Sequence, residues 1–254
     1  MAAFKYVLAA GAAVMLLGGA AQAQAPNIHA PKPSPAVAAA VSDPGRPAAD
    51  TARDENRKPA EVVAVSGLKP GDVVAELGSG GGYYSRILSK AVGPRGKVFA
   101  VVNAAQLAAR PAGADAIKAI AAVDTNITVI PDDYTTLAAL PQKVDMVWTT
   151  DNYHDFHNAL DIAAFNKAVF NALKPGGVFF IEDHAAAPGA GVSVTRTLHR
   201  IEPAAVAAEV TAAGFKLAGT SDVLAHPEDD HLKQNAETSV RGHTDRFIMI
   251  FRKP

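Results

Sequence analysis

The chain has 254 residues, of which 49% are hydrophobic and 19% charged, and this suits one globular domain with tails. Its 24 basic and 25 acidic residues are interspersed and give a net charge of −1, so bulk charge favours neither nucleic acid nor an anionic membrane as partner. Cysteine is absent, which excludes disulfides and a thioether-linked lipid, so the hydrophobic core must stabilise the fold.

The N-terminus has the layout of a cleaved secretory signal. Lys5 precedes an apolar run from Tyr6 to Ala21, and Ala21-Gln22-Ala23 follows the pattern of a cleavage site. A transmembrane anchor is the alternative, but the run is short and mostly Ala and Gly, whereas a span needs about 20 strongly apolar residues. We predict a signal peptide over residues 1–23, export to the periplasm, and no stable membrane span after cleavage.

The rest of the chain divides into a leader and a folded part. Residues 24–50 are rich in Pro and Ala with almost no large apolar side chain, so we predict a disordered leader there. Residues 51–254 form the predicted domain.

Strand-like and helical segments alternate within that domain. Helices are predicted at residues 53–66, 83–92, 114–123, 161–173 and 202–213, and strands at 72–77, 97–102, 127–130, 144–149, 177–183 and 246–253, with a further segment at 215–224. Continuous apolar runs indicate strands covered on both faces, and the alternation indicates right-handed parallel crossovers. Because only a polar loop precedes the last strand, we expect it to be antiparallel. The predicted fold is α/β: a Rossmann-like, mostly parallel seven-stranded sheet with an antiparallel last strand and helices on both faces.

The sequence ELGSGGG, from Glu76 to Gly82, joins the first strand to its helix. In an open parallel sheet a ligand binds beyond the carboxyl ends of the strands, and a glycine turn lets it approach the backbone and the helix N-terminus. The dinucleotide fingerprint needs glycine at position 83, which is Tyr83, and no Gly-Lys-Ser or Gly-Lys-Thr of a Walker motif follows. The turn therefore predicts a nucleotide-like ligand that the protein does not bind through phosphate groups.

Three segments carry a resemblance to a known family. VVAELGSGGGYYSRIL, VDMVWTTDNYHD and LKPGGVFFIEDH resemble class I S-adenosylmethionine-dependent methyltransferases. Over residues 53–254, including the ending RGHTDRFIMIFRKP, the chain is similar to predicted methyltransferases of Gram-negative bacteria that carry signal peptides. The resemblance implies S-adenosylmethionine as cofactor and methyl transfer to an acceptor. We expect that acceptor to be a small molecule, and the near-zero net charge predicts no nucleic-acid partner.

The resemblance also implies a set of cofactor-binding residues. They are Glu76, Gly78, Gly80, Gly82, Tyr83, Asn103, Asp132 and Asp133. The glycines would border the methionine part, and Glu76 would reach its amino group directly or through water. The family places a ribose-binding acid after the second strand, but this chain has Val102 followed by Asn103, whose amide would hold a hydroxyl more weakly. The two aspartates would contact adenine or simply form a solvated turn, and Tyr83 would stack on the cofactor or pack in the core.

Acceptor chemistry is expected beyond the fourth and fifth strands. Methyl transfer is an in-line displacement, so the protein must align the nucleophile and, for a hydroxyl or an amine, remove its proton. His154 is the first candidate for that base, followed by His184, with Asp151 beside them. The alternative is that both histidines are ordinary hydrogen-bonding loop residues. We assign no metal ligand, because no HxxxH pair is present and residues 151–157 are predicted to be a loop.

Two further features leave alternatives open. The polar segment 226–246 is either a lid over the active site, in which Arg241 or Arg246 holds an anionic substrate or pairs with a core acid, or a solvated connection. Arg200 is predicted to pair with Glu202 at the entry to a helix. S-adenosylmethionine is made in the cytoplasm, whereas the signal directs the domain out of it. A non-catalytic, exported small-ligand-binding protein on a methyltransferase scaffold is therefore the alternative function.

Overall fold

A computed structural model describes residues 25–254, so the predicted signal peptide lies outside the described residues. Within that range seven strands form one sheet in the order β3-β2-β1-β4-β5-β7-β6. The strands are β1 Val73–Leu77, β2 Lys97–Asn103, β3 Ile127–Asp132, β4 Val144–Thr150, β5 Leu173–His184, β6 Lys216–Ser221 and β7 Arg246–Arg252. Strands β1 to β5 are parallel, and β7 runs antiparallel to both β5 and β6. The predicted sheet, including its antiparallel last strand, is confirmed.

Helices cover both faces of this sheet. They are α1 Pro35–Val41, α2 Ala48–Thr51, α3 Asp54–Arg57, α4 Pro59–Ser66, α5 Tyr83–Val92, α6 Ala104–Ala109, α7 Asp115–Ala121, α8 Tyr153–Ala159, α9 Ile162–Ala172, α10 Thr195–Leu198 and α11 Pro203–Ala212, with a short 3-10 helix at Pro111–Ala114. None of the helices in residues 25–254 has both the length and the apolar character to cross a bilayer.

The strands bury side chains on both faces, which explains their continuous apolar runs. Val74 packs in one apolar layer and its neighbour Ala75 in the other. In the first layer the rings of Trp148 and Phe180, from adjacent strands, stack with centroids 4.1 Å apart. Side chains on both faces therefore fix the register in which the strand ends meet.

The segment before the predicted domain is structured. Helix α1 packs against α5 with Val37 and Ala40 buried, and Ser34 caps its N-terminus. Further upstream, Ile28 donates a backbone hydrogen bond to Thr220 at the edge of the sheet. The prediction of a disordered leader over residues 24–50 is therefore wrong for residues 25–50. Alanine allows close helix packing, so a segment with few large apolar side chains can still be ordered.

Helix boundaries differ from the predictions at two places. The predicted helix over residues 53–66 is divided into α3 and α4 at Lys58, which has φ of 39° and precedes Pro59. A residue before proline avoids the right-handed helical region, so the division is expected on steric grounds. Residues 153–159 form α8 where a loop was predicted, because Tyr153 and Phe156 are buried on one face of that turn of helix.

Candidate active site

A cleft of about 620 Å³ opens at the carboxyl edge of the sheet, within the size range of small-ligand sites. The ends of β1, β2 and β4 contribute to its walls, together with α6 and α7. Its lining residues are Gly78, Ser79, Gly80, Val102, Asn103, Gln106, Leu107, Ala109, Arg110, Gly113, Ala114, Ile117, Tyr134 and Asn152. This is the position at which open parallel sheets bind ligands.

The three glycines of the turn have different surroundings. Gly78 has φ of 76°, and a Cβ there would lie 2.8 Å from the Asn152 amide nitrogen, which donates to the Gly78 carbonyl. Gly80, with φ of 53°, would point a Cβ into open space. Gly82 is outside the cleft lining, and a Cβ there would lie 2.1 Å from a methyl carbon of Ile120. Gly78 and Gly80 therefore shape the cleft, whereas Gly82 allows α7 to pack close to the turn.

Tyr134 fixes the turn from the side of β3, a role that no sequence pattern predicted. Its hydroxyl donates to the Val101 carbonyl at 2.8 Å and accepts from the Gly78 amide at 3.1 Å. One buried hydroxyl thus ties the end of β1 to the end of β2, and its ring lines the cleft. The only sequence signal is an aromatic residue just after a strand end.

Glu76 lies behind the turn. It does not line the cleft, and it accepts a 2.5 Å hydrogen bond from the Ser85 hydroxyl. Its side chain is almost fully buried, and this burial raises the pKa of Glu76 to about 7 although the Ser85 bond opposes the shift.

The end of β2 contributes Val102 and Asn103 to the cleft wall. The Asn103 side-chain oxygen accepts from the Gln106 amide at 3.0 Å and caps α6. Where the resemblance implied a ribose-binding acid, the wall therefore has an aliphatic side chain and an amide whose oxygen is already hydrogen-bonded.

Tyr83, Asp132 and Asp133 also lie outside the cleft lining, as Glu76 and Gly82 do, so five of the eight predicted cofactor residues do not line it. Asp132 accepts from the Asp133 and Ala139 amides, and Asp133 accepts from the Thr135 amide and hydroxyl, so both aspartates stabilise their own turn. Tyr83 is buried and donates to Asp54 at 2.6 Å. These side chains are occupied by the turn and by the N-terminal helices, because short polar side chains satisfy nearby backbone amides first.

The predicted catalytic residues come together next to the cleft. Asp183, at the end of β5, accepts from His154 Nδ1 at 2.7 Å, from the His154 amide at 2.8 Å and from the His184 amide at 2.7 Å. The centroids of the His154 and His184 rings lie 6.1 Å apart. Burial acts to lower the pKa of His154, but the adjacent Asp183 carboxylate outweighs it and the pKa is raised.

Asp151 directly precedes the cleft residue Asn152 in the sequence, and it lies next to His184. His184 Nε2 lies 3.4 Å from Asp151 Oδ1, and His184 Nδ1 lies 2.8 Å from the Thr244 hydroxyl. Arg57 holds the other Asp151 oxygen at 2.6 Å. Burial acts to raise the pKa of Asp151, but His184 and Arg57 outweigh it and hold that pKa well below its usual range. Burial lowers the pKa of His184, which keeps its imidazole neutral at pH 7.

The structure agrees with one of the predicted contacts of two arginines in the C-terminal part and not with the other. Arg246 is buried and pairs with Glu182 at 3.0 Å, which is the pairing with a core acid that was one of the alternatives. Arg200 pairs with Asp229 at 2.7 Å, whereas Glu202 accepts from the amides of Gly189 and Gly191. The predicted Arg200–Glu202 pair is wrong, because the fold brings a distant carboxylate to a fully buried guanidinium.

Residues 74–177 match a family model described as a methyltransferase domain. The match covers 104 of the 254 residues, from β1 to the start of β5. The seven-stranded sheet has the fold of class I, S-adenosylmethionine-dependent methyltransferases. No curated protein sequence matches the chain significantly.

Solved structures show the same fold at low sequence identity. An S-adenosylmethionine-dependent methyltransferase from Aquifex aeolicus is 18% identical with a TM-score of 0.56, and the match covers 79% of this chain and 90% of that one. A putative sarcosine dimethylglycine methyltransferase from Galdieria sulphuraria is also 18% identical, with a TM-score of 0.56 and coverage of 78% and 84%. Aeropyrum pernix fibrillarin with bound S-adenosylmethionine is 16% identical, with a TM-score of 0.50 and coverage of 75% and 72%.

Proposed function

We propose that this protein transfers the methyl group of S-adenosylmethionine to a small-molecule acceptor, and that the cofactor occupies the cleft beside the glycine turn. The observation that carries the proposal is the open space above Gly80, which belongs to a cleft of about 620 Å³ between the ends of β1, β2 and β4. At this point the backbone of the glycine turn, which has no side chains, borders a cleft large enough for a small ligand. The matched domain is also of a type that uses this cofactor.

Within this proposal the methionine part lies against Gly78 and Gly80, and the adenosine extends towards Asn103. Glu76 contributes its charge from behind the turn, so that the ammonium group of the cofactor faces a buried carboxylate. Gly82 contributes helix packing, and Tyr83, Asp132 and Asp133 have no direct role at the cofactor, because none of these residues lines the cleft.

The structure favours His184 over His154 as the proton acceptor. A general base must be unprotonated at the working pH, and burial lowers the pKa of His184 whereas Asp183 raises that of His154. If the Thr244 hydroxyl accepts the proton on His184 Nδ1, then Nε2 carries the lone pair on the side of Asp151. An acceptor hydroxyl or amine within reach of Nε2 would pass its proton to His184 while its oxygen or nitrogen bonds to the methyl carbon. The bond from that carbon to the cofactor sulfur would break, leaving S-adenosylhomocysteine.

Calorimetric titration with S-adenosylmethionine and S-adenosylhomocysteine tests the cofactor site. Gly80→Val fills the open space of the cleft, and we expect it to abolish micromolar binding of both compounds. Gly67→Val is the matched control: Gly67 has φ of 74° and open space around it, but it precedes β1 at the opposite edge of the sheet. Loss of binding in both variants, or in neither, would contradict a cofactor at this turn.

The alternative function, a non-catalytic binding protein, makes a different prediction. It is supported if the folded wild-type chain binds neither compound, since the same scaffold would then hold another ligand. The missing ribose acid at Val102 is the feature that favours it. Export is a separate proposal that depends on the signal pattern of residues 1–23, and it is tested by fractionating cells and measuring the mass of the mature N-terminus.

A further inference from the structure

Three side chains that could bind a metal ion lie beside His184, the proposed proton acceptor. His154, Asp155 and His199 each offer one potential ligand atom, and these three atoms lie within 4.8 Å of one another. His154 and Asp155 are in the first turn of α8, and His199 follows the end of α10. His154 is buried, His199 is partly exposed and Asp155 is exposed, so solvent reaches the group from the side of Asp155.

The two separations that involve Asp155 suit ligands of one metal ion better than hydrogen bonds. Asp155 Oδ1 lies 3.5 Å from His154 Nε2 and 3.3 Å from His199 Nδ1. A charge-assisted hydrogen bond would be about 2.7–2.9 Å long, as is the 2.7 Å bond between His154 and Asp183. Ligands at about 2.0–2.2 Å from a tetrahedral zinc ion are instead separated by about 3.3–3.6 Å.

Asp183 gives independent support from the other side of the His154 ring. It is fully buried, and it holds His154 Nδ1 at 2.7 Å and the His154 amide at 2.8 Å. A proton on Nδ1 that is donated to a carboxylate leaves the lone pair on Nε2, which is the atom 3.5 Å from Asp155. Metal-bound histidines usually donate the opposite ring N–H to a carboxylate, a backbone carbonyl or water, which fixes the tautomer and the orientation of the ring.

We propose that His154, Asp155 and His199 bind one divalent transition-metal ion, with Asp183 as the positioning carboxylate. Two imidazoles and one carboxylate suit zinc or iron(II), whereas calcium and magnesium prefer oxygen ligands alone. Three protein ligands leave a coordination position for water or a small molecule, as in catalytic zinc sites. The proposal depends on these side chains and not on the cofactor cleft, so it stands or falls separately from the proposed methyl transfer.

The test is calorimetric titration of Zn²⁺ into the chelator-treated full chain without a histidine tag. We expect one ion per chain, and affinity losses of more than about 100-fold in His199→Asn and in Asp155→Asn. Asn tolerates the left-handed backbone of position 199, where φ is 50°, and Asp155 is exposed, so both variants should fold. His157→Gln is the matched control, because His157 is also on α8 but pairs with Glu209 at 3.0 Å.

Two further readouts address folding and geometry. The thermal midpoint without metal should be the same in wild type and the two ligand variants, and Zn²⁺ should raise it only in wild type and in the control. Co²⁺ in place of zinc should give the visible absorption of a four-coordinate site in wild type, and the ligand variants should lose it. The proposal is overturned if wild type binds no zinc at micromolar concentrations, or if the ligand variants and the control bind it alike.

Discussion

Replacement of Glu76 by glutamine tests the electrostatics beneath the glycine turn. Burial raises the pKa of Glu76 to about 7 in the folded chain, against an ordinary value of 4.5. Between these two values the folded chain retains a proton that the unfolded chain releases, so the free energy of unfolding falls as pH rises through this window. The difference corresponds to about 3 kcal/mol at about 1.4 kcal/mol per pH unit. The glutamine side chain carries no charge at any of these pH values, so we expect the free energy of unfolding of the variant not to fall across this window.

The assay is urea denaturation of wild type and Glu76→Gln at pH 4.5 and pH 8. The two chains should be similarly stable at the lower pH, and the variant should be more stable by about 3 kcal/mol at the higher one. Glu55→Gln, at an exposed position of α3, controls for the loss of one negative charge. The same change in the free energy of unfolding between the two pH values in wild type and in Glu76→Gln would refute the inference that burial raises the pKa of Glu76.

Two further predictions concern the cleft wall. Val102→Asp introduces an acid at the end of β2, and calorimetry should show S-adenosylmethionine binding about tenfold more tightly. The reason is that a charge-assisted hydrogen bond to the ribose is worth about 1.5–3 kcal/mol before desolvation. Unchanged or weaker binding would place the ribose elsewhere. Tyr134→Phe removes two hydrogen bonds, so it should cost about 2 kcal/mol and lower the thermal midpoint by about 4–8 °C while weakening cofactor binding. Tyr153→Phe also loses two bonds, to Asn166 and Glu209, and should lose similar stability without losing cofactor affinity.

The sheet was predictable because its physical signals are local. Val73 to Leu77 is a short apolar run followed by a glycine turn, and burial on both faces requires such a run. The antiparallel direction of β7 followed from the loop before it, since a parallel neighbour usually needs a helical crossover and residues 222–245 contain no helix. The turn at Gly78 and Gly80 was found by spacing alone, because only glycine readily adopts the positive φ values seen there.

The partners of charged and polar side chains were not predictable in the same way. Arg200 and Asp229 are 29 residues apart, and nothing in the local sequence distinguishes Asp229 from Glu202 as the partner. Tyr134 joins β1 and β2 through backbone atoms of Gly78 and Val101, and neither atom has a sequence signature. Helix α8 was missed because its segment reads as polar, and only the tertiary burial of Tyr153 and Phe156 shows it to be amphipathic.

The charge of the cofactor gives Glu76 its significance. S-adenosylmethionine carries a sulfonium and an ammonium group, yet no carboxylate lines the cleft among the described residues. The family's ribose acid is replaced by Val102, and Asp132 and Asp133 are committed to their turn, so Glu76 is the carboxylate directly behind the glycines. A cation near the turn would stabilise ionised Glu76 and lower its pKa from about 7. In the proposed complex, cofactor binding below that pH is therefore linked to proton release, and affinity increases with pH for S-adenosylmethionine and also for S-adenosylhomocysteine, which has the same ammonium group.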